Sequence, residues 1–167
     1  MNIRCYCGSG FDLHYKQRKQ LLQGFDTFCG GECLYKYLVD TNITRQPDIW
    51  KNGEVYPGQM NEPFDYWCRE TRRFYRSRSE ATFARWCVAN QIKYEYEPYT
   101  IQLPGRKSYT PDFWLPDFYQ LIEVKGVWSG SAKKKMRYVV NRGFRLILVP
   151  DYLIRKLLRV WREKNNG

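Results

Sequence analysis

Residues 108–126 read Ser108-Tyr109-Thr110-Pro111-Asp112-Phe113-Trp114-Leu115-Pro116-Asp117-Phe118-Tyr119-Gln120-Leu121-Ile122-Glu123-Val124-Lys125-Gly126, two short apolar runs on either side of a Pro-Asp turn, each carrying an acid. The runs Thr110–Leu115 and Gln120–Val124 predict strands, and Pro116-Asp117-Phe118 predicts the turn that folds one back on the other. Successive side chains of a strand point to opposite faces, so Glu123 and Lys125 share one face while Ile122 and Val124 face a core. The hairpin then brings Asp112 near Glu123. Two carboxylates so close repel each other unless a cation lies between them. Oxygen ligands with open positions suit Mg²⁺, which takes one or two carboxylates, waters and phosphate oxygens. Lys125 adds a point charge able to hold a water nucleophile or a phosphate. This constellation predicts metal-dependent nuclease chemistry. The plain alternative is a surface hairpin with ordinary charges.

Outward from this hairpin, Ser77 with Glu80 three residues on forms a capping box, and Phe83, Ala84, Cys87 and Val88 continue one helical face. Glu80 heads that stripe and is expected to point toward the sheet; its alternative is a capping acid only. A first strand is expected over Tyr94–Gln102. Downstream, Ser131–Asn141 predicts a helix with Lys133, Lys134 and Lys135 in its first turn and Gly143 after its end. Phe144–Val149 reads as a buried strand. Asp151–Lys164 reads as an amphipathic helix with Leu153, Leu157, Val160 and Trp161 on one side. The order from Ser77 is α-β-β-β-α-β-α, a mixed α/β (α+β) arrangement. Upstream, Asn61-Glu62-Pro63 predicts a helix start. That helix would run through Phe64, Trp67, Cys68 and Thr71 to a basic stretch at Arg72–Arg76. Residues 41–61 read as a linker or a long ordered loop.

The 167 residues carry a formal net charge of +11. It is unevenly spread: from Ser77 onward there are 17 Lys/Arg against 8 Asp/Glu. A polyanion is the natural partner of that half, and nucleic acid is the commonest one. Lys133, Lys134, Lys135, Arg78, Arg106 and Lys107 are the candidate phosphate contacts, with a solvated charged face as the alternative for the lysine run. No apolar run is long enough to span a bilayer and no signal peptide is legible, so a soluble, cytoplasmic protein without a membrane partner is expected.

The stretches SRSEATFARWCVANQIKYEYEPY and SYTPDFWLPDFYQLIEVKGVWSGSAKKK resemble the phage endonuclease I family of Holliday-junction-resolving enzymes, part of the PD-(D/E)XK, restriction-endonuclease-like superfamily. The likeness covers roughly 65 of the 167 residues. It rests on the helix glutamate, the "KYEYE" strand, "YTPDF-LP", "E-x-KG-W" and the lysines that follow. The resemblance implies a restriction-endonuclease-like core, with Glu80, Asp112 and Glu123 as ligands of Mg²⁺ or Mn²⁺ and Lys125 as the catalytic lysine. It places Lys134 and Lys135 near the scissile phosphate. It implies hydrolysis of a DNA phosphodiester, a homodimer, and the cytoplasm of a phage's host as the location. The sequence before Ser77 does not match the family. The resemblance implies branched DNA as the target; because junction selectivity depends on how two sites are spaced in a dimer and the part before Ser77 does not match, homing, restriction-like or nicking action on duplex is the alternative. No residue excludes RNA.

Cys5-Tyr6-Cys7-Gly8 and Cys29-Gly30-Gly31-Glu32-Cys33 form two close cysteine pairs. In a cytosolic chain they favour metal over disulfides, and four thiolates satisfy tetrahedral Zn²⁺. The second pair opens a predicted helix, Glu32–Val39, whose positive end favours thiolates. The pattern resembles a treble-clef zinc finger with a first knuckle one residue short. An iron–sulfur cluster is the alternative, and His14 is a surface residue or a substitute ligand. Cys68 and Cys87 are expected as buried thiols on helix faces. The expected organisation is a zinc-binding module over 1–45, a linker and connecting helix over 46–76, and a nuclease domain over 77–167. The module either holds a region too small to fold alone or docks on DNA and sets target choice. The competing class is a non-catalytic zinc-finger DNA-binding protein. Three clustered carboxylates, which repel phosphate, argue against it.

Overall fold

In a computed structural model, residues 3–11, 25–43, 55–57, 66–125 and 129–165 are described, and they form a mixed α/β fold. Strands β1 (Ile3–Arg4) and β2 (Gly10–Phe11) pair antiparallel and precede helix α1 (Gly31–Asp40). Strand β3 (Val55–Pro57) lies in the stretch expected as linker or loop. Then come β4 (Tyr66–Cys68), β5 (Arg73–Tyr75) and helix α2 (Arg78–Ala89). Strands β6 (Glu95–Tyr96), β7 (Tyr99–Leu103), β8 (Lys107–Tyr109), β9 (Phe113–Leu115) and β10 (Gln120–Lys125) follow. Helix α3 (Gly130–Asn141), β11 (Leu146–Pro150) and helix α4 (Asp151–Asn165) complete the order. No helix among the described residues is long and apolar enough to cross a membrane.

The main sheet has the order β11-β10-β9-β6, and β10 is its pivot. It runs antiparallel to β9 through the Pro116–Phe118 turn and parallel to β11 through α3. That turn is a short 3-10 helix ended by Tyr119 in the left-handed region (φ 47°). Strict alternation divides two cores. Phe113, Leu115, Ile122, Val124, Ile147 and Val149 pack with α1, α2 and α4 on one face. Trp114, Leu121, Leu146 and Leu148 pack on the other with Met136 and Val139 of α3 and with Ile101, Leu103 and Tyr109 of β7 and β8. The expected core-facing pair Ile122 and Val124 is found buried.

Two expectations need correction. The stretch from Tyr66 to Tyr75 is a β-hairpin where a helix was expected; the expected start at Asn61–Pro63 lies outside the described residues. Five of the six paired residues include the aromatics Tyr66, Trp67, Phe74 and Tyr75 with Cys68, side chains that fit a pleated, half-buried surface. Arg72, at φ 50°, closes the turn with its N–H on the Arg69 carbonyl at 3.3 Å. Between α2 and α3 there are five strands where three were expected. The run Tyr94–Gln102 breaks at Glu97-Pro98: Glu97 takes φ 47° and proline offers no ladder N–H. So β6 joins the main sheet and β7 a second one, in the order β3-β7-β8. Positive φ at Gly105 (71°) and Arg106 (58°) turns β7 into β8.

Candidate active-site cleft and cysteine cluster

A cleft of about 410 Å³ opens between the end of β10, the start of α2 and the start of α3. Glu80, Asp112, Glu123 and Lys125, the four residues singled out from sequence, all line it. The register explains the meeting. Ile122 pairs with Phe113, so the next residues along, Glu123 and Asp112, fall beside each other on the same face. The Asp112 carboxylate accepts the Val124 N–H at 2.6 Å, which ties the acid of one strand to the backbone of the next.

Glu123 is 4 % exposed. Its Oε2 accepts from the Tyr109 hydroxyl at 2.6 Å and its Oε1 from Lys125 Nζ at 3.1 Å. Burial pushes its pKa up, against the opposing pull of Lys125 and Tyr109. Asp112 is raised well above the usual carboxylate range by burial and then by the charges of Glu123 and Glu80. Burial pulls Lys125 down, but Glu123, Asp112 and Glu80 outweigh it and its pKa is raised on balance. The Tyr109 phenol is pushed well up by burial and by Glu123, so it stays a hydrogen-bond donor.

Glu80, at the third position of α2, is 7 % exposed. The N-cap half of the expected capping box is present: Ser77 Oγ accepts the Glu80 N–H at 3.2 Å and donates to Glu80 Oε1 at 2.7 Å. Glu80 Oε2 accepts from the Arg76 N–H at 3.2 Å and from the Tyr96 hydroxyl. Glu80 is therefore a capping acid and a cleft acid at once.

Sequence reasoning missed a fourth carboxylate. Glu97 lines the cleft, is 4 % exposed, and is gripped by Arg76 through Nε at 2.7 Å and Nη2 at 3.0 Å. Burial raises its pKa while Arg76 opposes. The Glu97 N–H also donates to the Asp112 carbonyl at 2.9 Å, so the bend that splits the expected strand also positions Asp112. The signal available was Glu97-Pro98 itself, a break inside an apparent strand.

Of the basic candidates, Lys135 reaches the cleft, where its Nζ donates to the Ser108 carbonyl at 2.9 Å. Lys133 and Lys134 lie on the same helix outside the lining, Lys134 exposed. Arg106 and Lys107 are exposed at the β7–β8 turn, and exposed Arg78 lines a separate depression with Asp151 and Arg155.

The four N-terminal cysteines gather as expected, with all four Sγ atoms within 4.8 Å of one another. Among the described residues this is the one such group of three or more Cys, His, Asp or Glu donors. The Cys7 and Cys29 sulfurs are 3.7 Å apart and those of Cys5 and Cys33 3.0 Å. The edge of a zinc–thiolate tetrahedron is about 3.8 Å, so the first spacing already matches it. Cys5 and Cys7 sit in the β1–β2 turn, where Gly8 at φ 83° lets its N–H reach the Cys5 carbonyl at 2.9 Å. The Cys29 N–H donates to Cys5 Sγ at 3.0 Å, and Cys33 lies in the first turn of α1. Hydrogen bonds from Ser9 pull Cys7 down to about 6, whereas burial pushes Cys29 up to about 11 and Cys33 to about 12. A bound cation is what makes four thiolates together affordable. The cluster is compatible with a zinc site. His14 lies outside the described residues. Cys68 and Cys87 are buried free thiols, Cys68 on β4 rather than on a helix.

The chain matches no protein-family model, no curated protein and no solved structure with which it was compared.

Proposed function

We propose that the protein is a metal-dependent DNA endonuclease of the PD-(D/E)XK kind, acting on branched DNA, with Zn²⁺ in its cysteine cluster. One observation carries the reading: Asp112, just before β9, and Glu123 of the neighbouring antiparallel β10 share a cleft in which Lys125 is bonded to Glu123. Charges that raise one another's carboxyl pKa are an arrangement a cation relieves. The donor set fits Mg²⁺, which needs only one or two carboxylates beside water and phosphate oxygens. Asp112 and Glu123 would hold it, with Glu80 behind them. When bound, such an ion polarises a phosphoryl group and acidifies water.

The chain's own residues do the rest. Each Glu123 oxygen keeps a lone pair beyond those used by Tyr109 and Lys125. The Val124 N–H fixes one Asp112 oxygen and leaves the other to the cleft. Lys125, half-buried and held protonated by its acid neighbours, offers a fixed positive charge to a phosphate oxygen. Lys135 adds another cation to the cleft lining. The net charge of +11 supplies the long-range attraction for a polyanion.

The test is cleavage of a labelled four-way junction, a matched linear duplex and a single strand, in Mg²⁺ or EDTA, by the wild type and Glu123→Ala. Mg²⁺-dependent cutting that the variant loses, strongest on the junction, is expected. Cutting of linear duplex alone would move the reading to a nicking or restriction-like enzyme. No cutting, with equal binding by both proteins, would make the protein a DNA-binding platform.

A further inference from the structure

We propose that the β4–β5 hairpin is a stacking platform for an unpaired DNA base, carried by Trp67 and Phe74 and set beside the cleft. The inference rests on the DNA-directed reading above and names the feature of the DNA that the protein selects.

Trp67 and Phe74 are directly opposite each other in the hairpin, with ring centroids 4.8 Å apart. They remain 49 % and 48 % exposed. The hairpin does not need them outside to be anchored. Tyr75 is fully buried on the inner face, edge-on to Tyr96, and its hydroxyl meets those of Thr71 and Tyr94. Arg85 of α2 clamps Glu70 of the turn at 2.9 Å and lies over the Tyr66 ring. Scattered exposed apolar side chains are ordinary, but a rigidly mounted pair of aromatic rings is not scattered.

The surroundings say what occupies the pair. Arg69 and Arg72 are exposed on the same turn, and Arg73 lies against the Tyr96 ring. Arg76 then enters the cleft wall. The exposed Arg69 and Arg72 suit phosphates, and the rings suit base faces, the combination that single-stranded nucleic acid requires. A protein or membrane surface would need a wider apolar patch than two rings. In continuous duplex every base face is already covered, so only an unpaired base offers a free one. Phe74 is two residues before Arg76, which lines the cleft, so the platform is continuous in the chain with the cleft wall.

The experiment measures binding without added Mg²⁺ and without chelator, so that no cleavage complicates it and the cysteine-bound metal stays in place. The probes are a labelled duplex with a central unpaired loop, the same duplex fully paired, and the loop duplex with abasic sites at the unpaired positions. The wild type should prefer the loop, and the abasic sites should remove that preference. Trp67→Ala with Phe74→Ala should lose roughly 5- to 150-fold on the loop and less than about twofold on paired duplex. It should also be indifferent to the abasic change. Trp67→Phe with Phe74→Tyr should restore the preference. Equal losses on both duplexes, or a wild type without loop preference, would overturn the proposal. The abasic comparison needs no variant, so it stands even if the double alanine protein misfolds. Mg²⁺-dependent cleavage is scored separately. Loop preference without cleavage supports the platform and refutes the nuclease, and cleavage without loop preference does the reverse.

Discussion

Two adjacent glycines should respond to the same substitution in different ways. Gly31 is the first residue of α1, where the helix meets α2 and α4. A Cβ there would lie 2.6 Å from Trp86 Nε1, 3.3 Å from Trp86 Cδ1 and 2.7 Å from Leu157 Cδ2. The Leu157 methyl can rotate away. The indole cannot: it is 6 % exposed and backed by the Phe83 ring at 5.5 Å. Overpacking of a closed site costs about 1–3 kcal/mol, and alanine's helix propensity returns at most about 1. Gly31→Ala should therefore destabilise by about 1–2 kcal/mol, a fall in Tm of roughly 2–8 °C for a chain of this size. Gly30 is the N-cap, in extended backbone any residue adopts (φ −176°), with nothing within 4 Å of its Cβ. Gly30→Ala should stay within about 0.5 kcal/mol of the wild type. The assay is thermal unfolding followed by circular dichroism, with zinc content measured on each protein, because Cys33 is on the same helical turn as Gly31. Trp86→Phe should reduce the penalty of Gly31→Ala, a coupling a double-mutant cycle reads directly. Equal Tm values for the two alanine variants would refute the close-approach argument.

Three further outcomes are expected. Asp112 has a folded pKa above its ordinary value, so the metal-free protein loses stability as pH rises from the ordinary carboxylate range through that raised value. Without added Mg²⁺, Asp112→Asn should raise the Tm at pH 8 and leave it unchanged near pH 3, while abolishing any stabilisation by Mg²⁺. Arg76→Met leaves the buried Glu97 without its bidentate partner; discounted for the 37 % exposure of Arg76, the cost should be about 1–3 kcal/mol in denaturant unfolding, with most of it recovered by adding Glu97→Gln. Purified protein should hold about one zinc per chain by elemental analysis, and Cys33→Ser should lower both that figure and Tm. Iron in place of zinc would favour a cluster at the same cysteines.

What the sequence disclosed follows from how local each signal is. Asp112 and Glu123 were legible together because a three-residue turn joins their strands, and period-2 alternation then fixes which side chains share a face. The cysteine pairs were legible because each lies within one turn. Glu97 was hidden because Tyr94–Gln102 alternates well enough to pass for one strand, and only the sheet partners show the chain leaving one sheet for another at Glu97-Pro98. The β4–β5 hairpin was hidden by coincidence: Phe64, Trp67, Cys68 and Thr71 also satisfy a helical repeat. The choice was made at long range, by burying Tyr75 against Tyr96 and Phe113 and by the Arg85–Glu70 clamp, none of it visible in a local window.

The packing around α1 favours a scaffolding role for the cysteine cluster over that of a separate targeting finger. Phe28, Leu34 and Leu38 are fully buried, and they share one core with Tyr152, Leu153 and Leu157 of α4 and with Phe83 and Trp86 of α2. Polar ties follow the same route. The Tyr152 hydroxyl donates to the Phe28 carbonyl at 3.2 Å, and Lys156 Nζ to the Cys29 carbonyl at 2.6 Å. Arg145 joins the Thr41 carbonyl to that of Phe118. Burying three such side chains contributes about 5–9 kcal/mol, comparable to the whole net stability of a domain. A metal that fixes Cys5, Cys7, Cys29 and Cys33 thereby fixes the start of α1, and α1 is one wall of the pocket of side chains in which α2 sits. Glu80 lines the cleft from the first turn of α2, so a metal in the cysteine cluster would support the carboxylate site through this shared core rather than by contact.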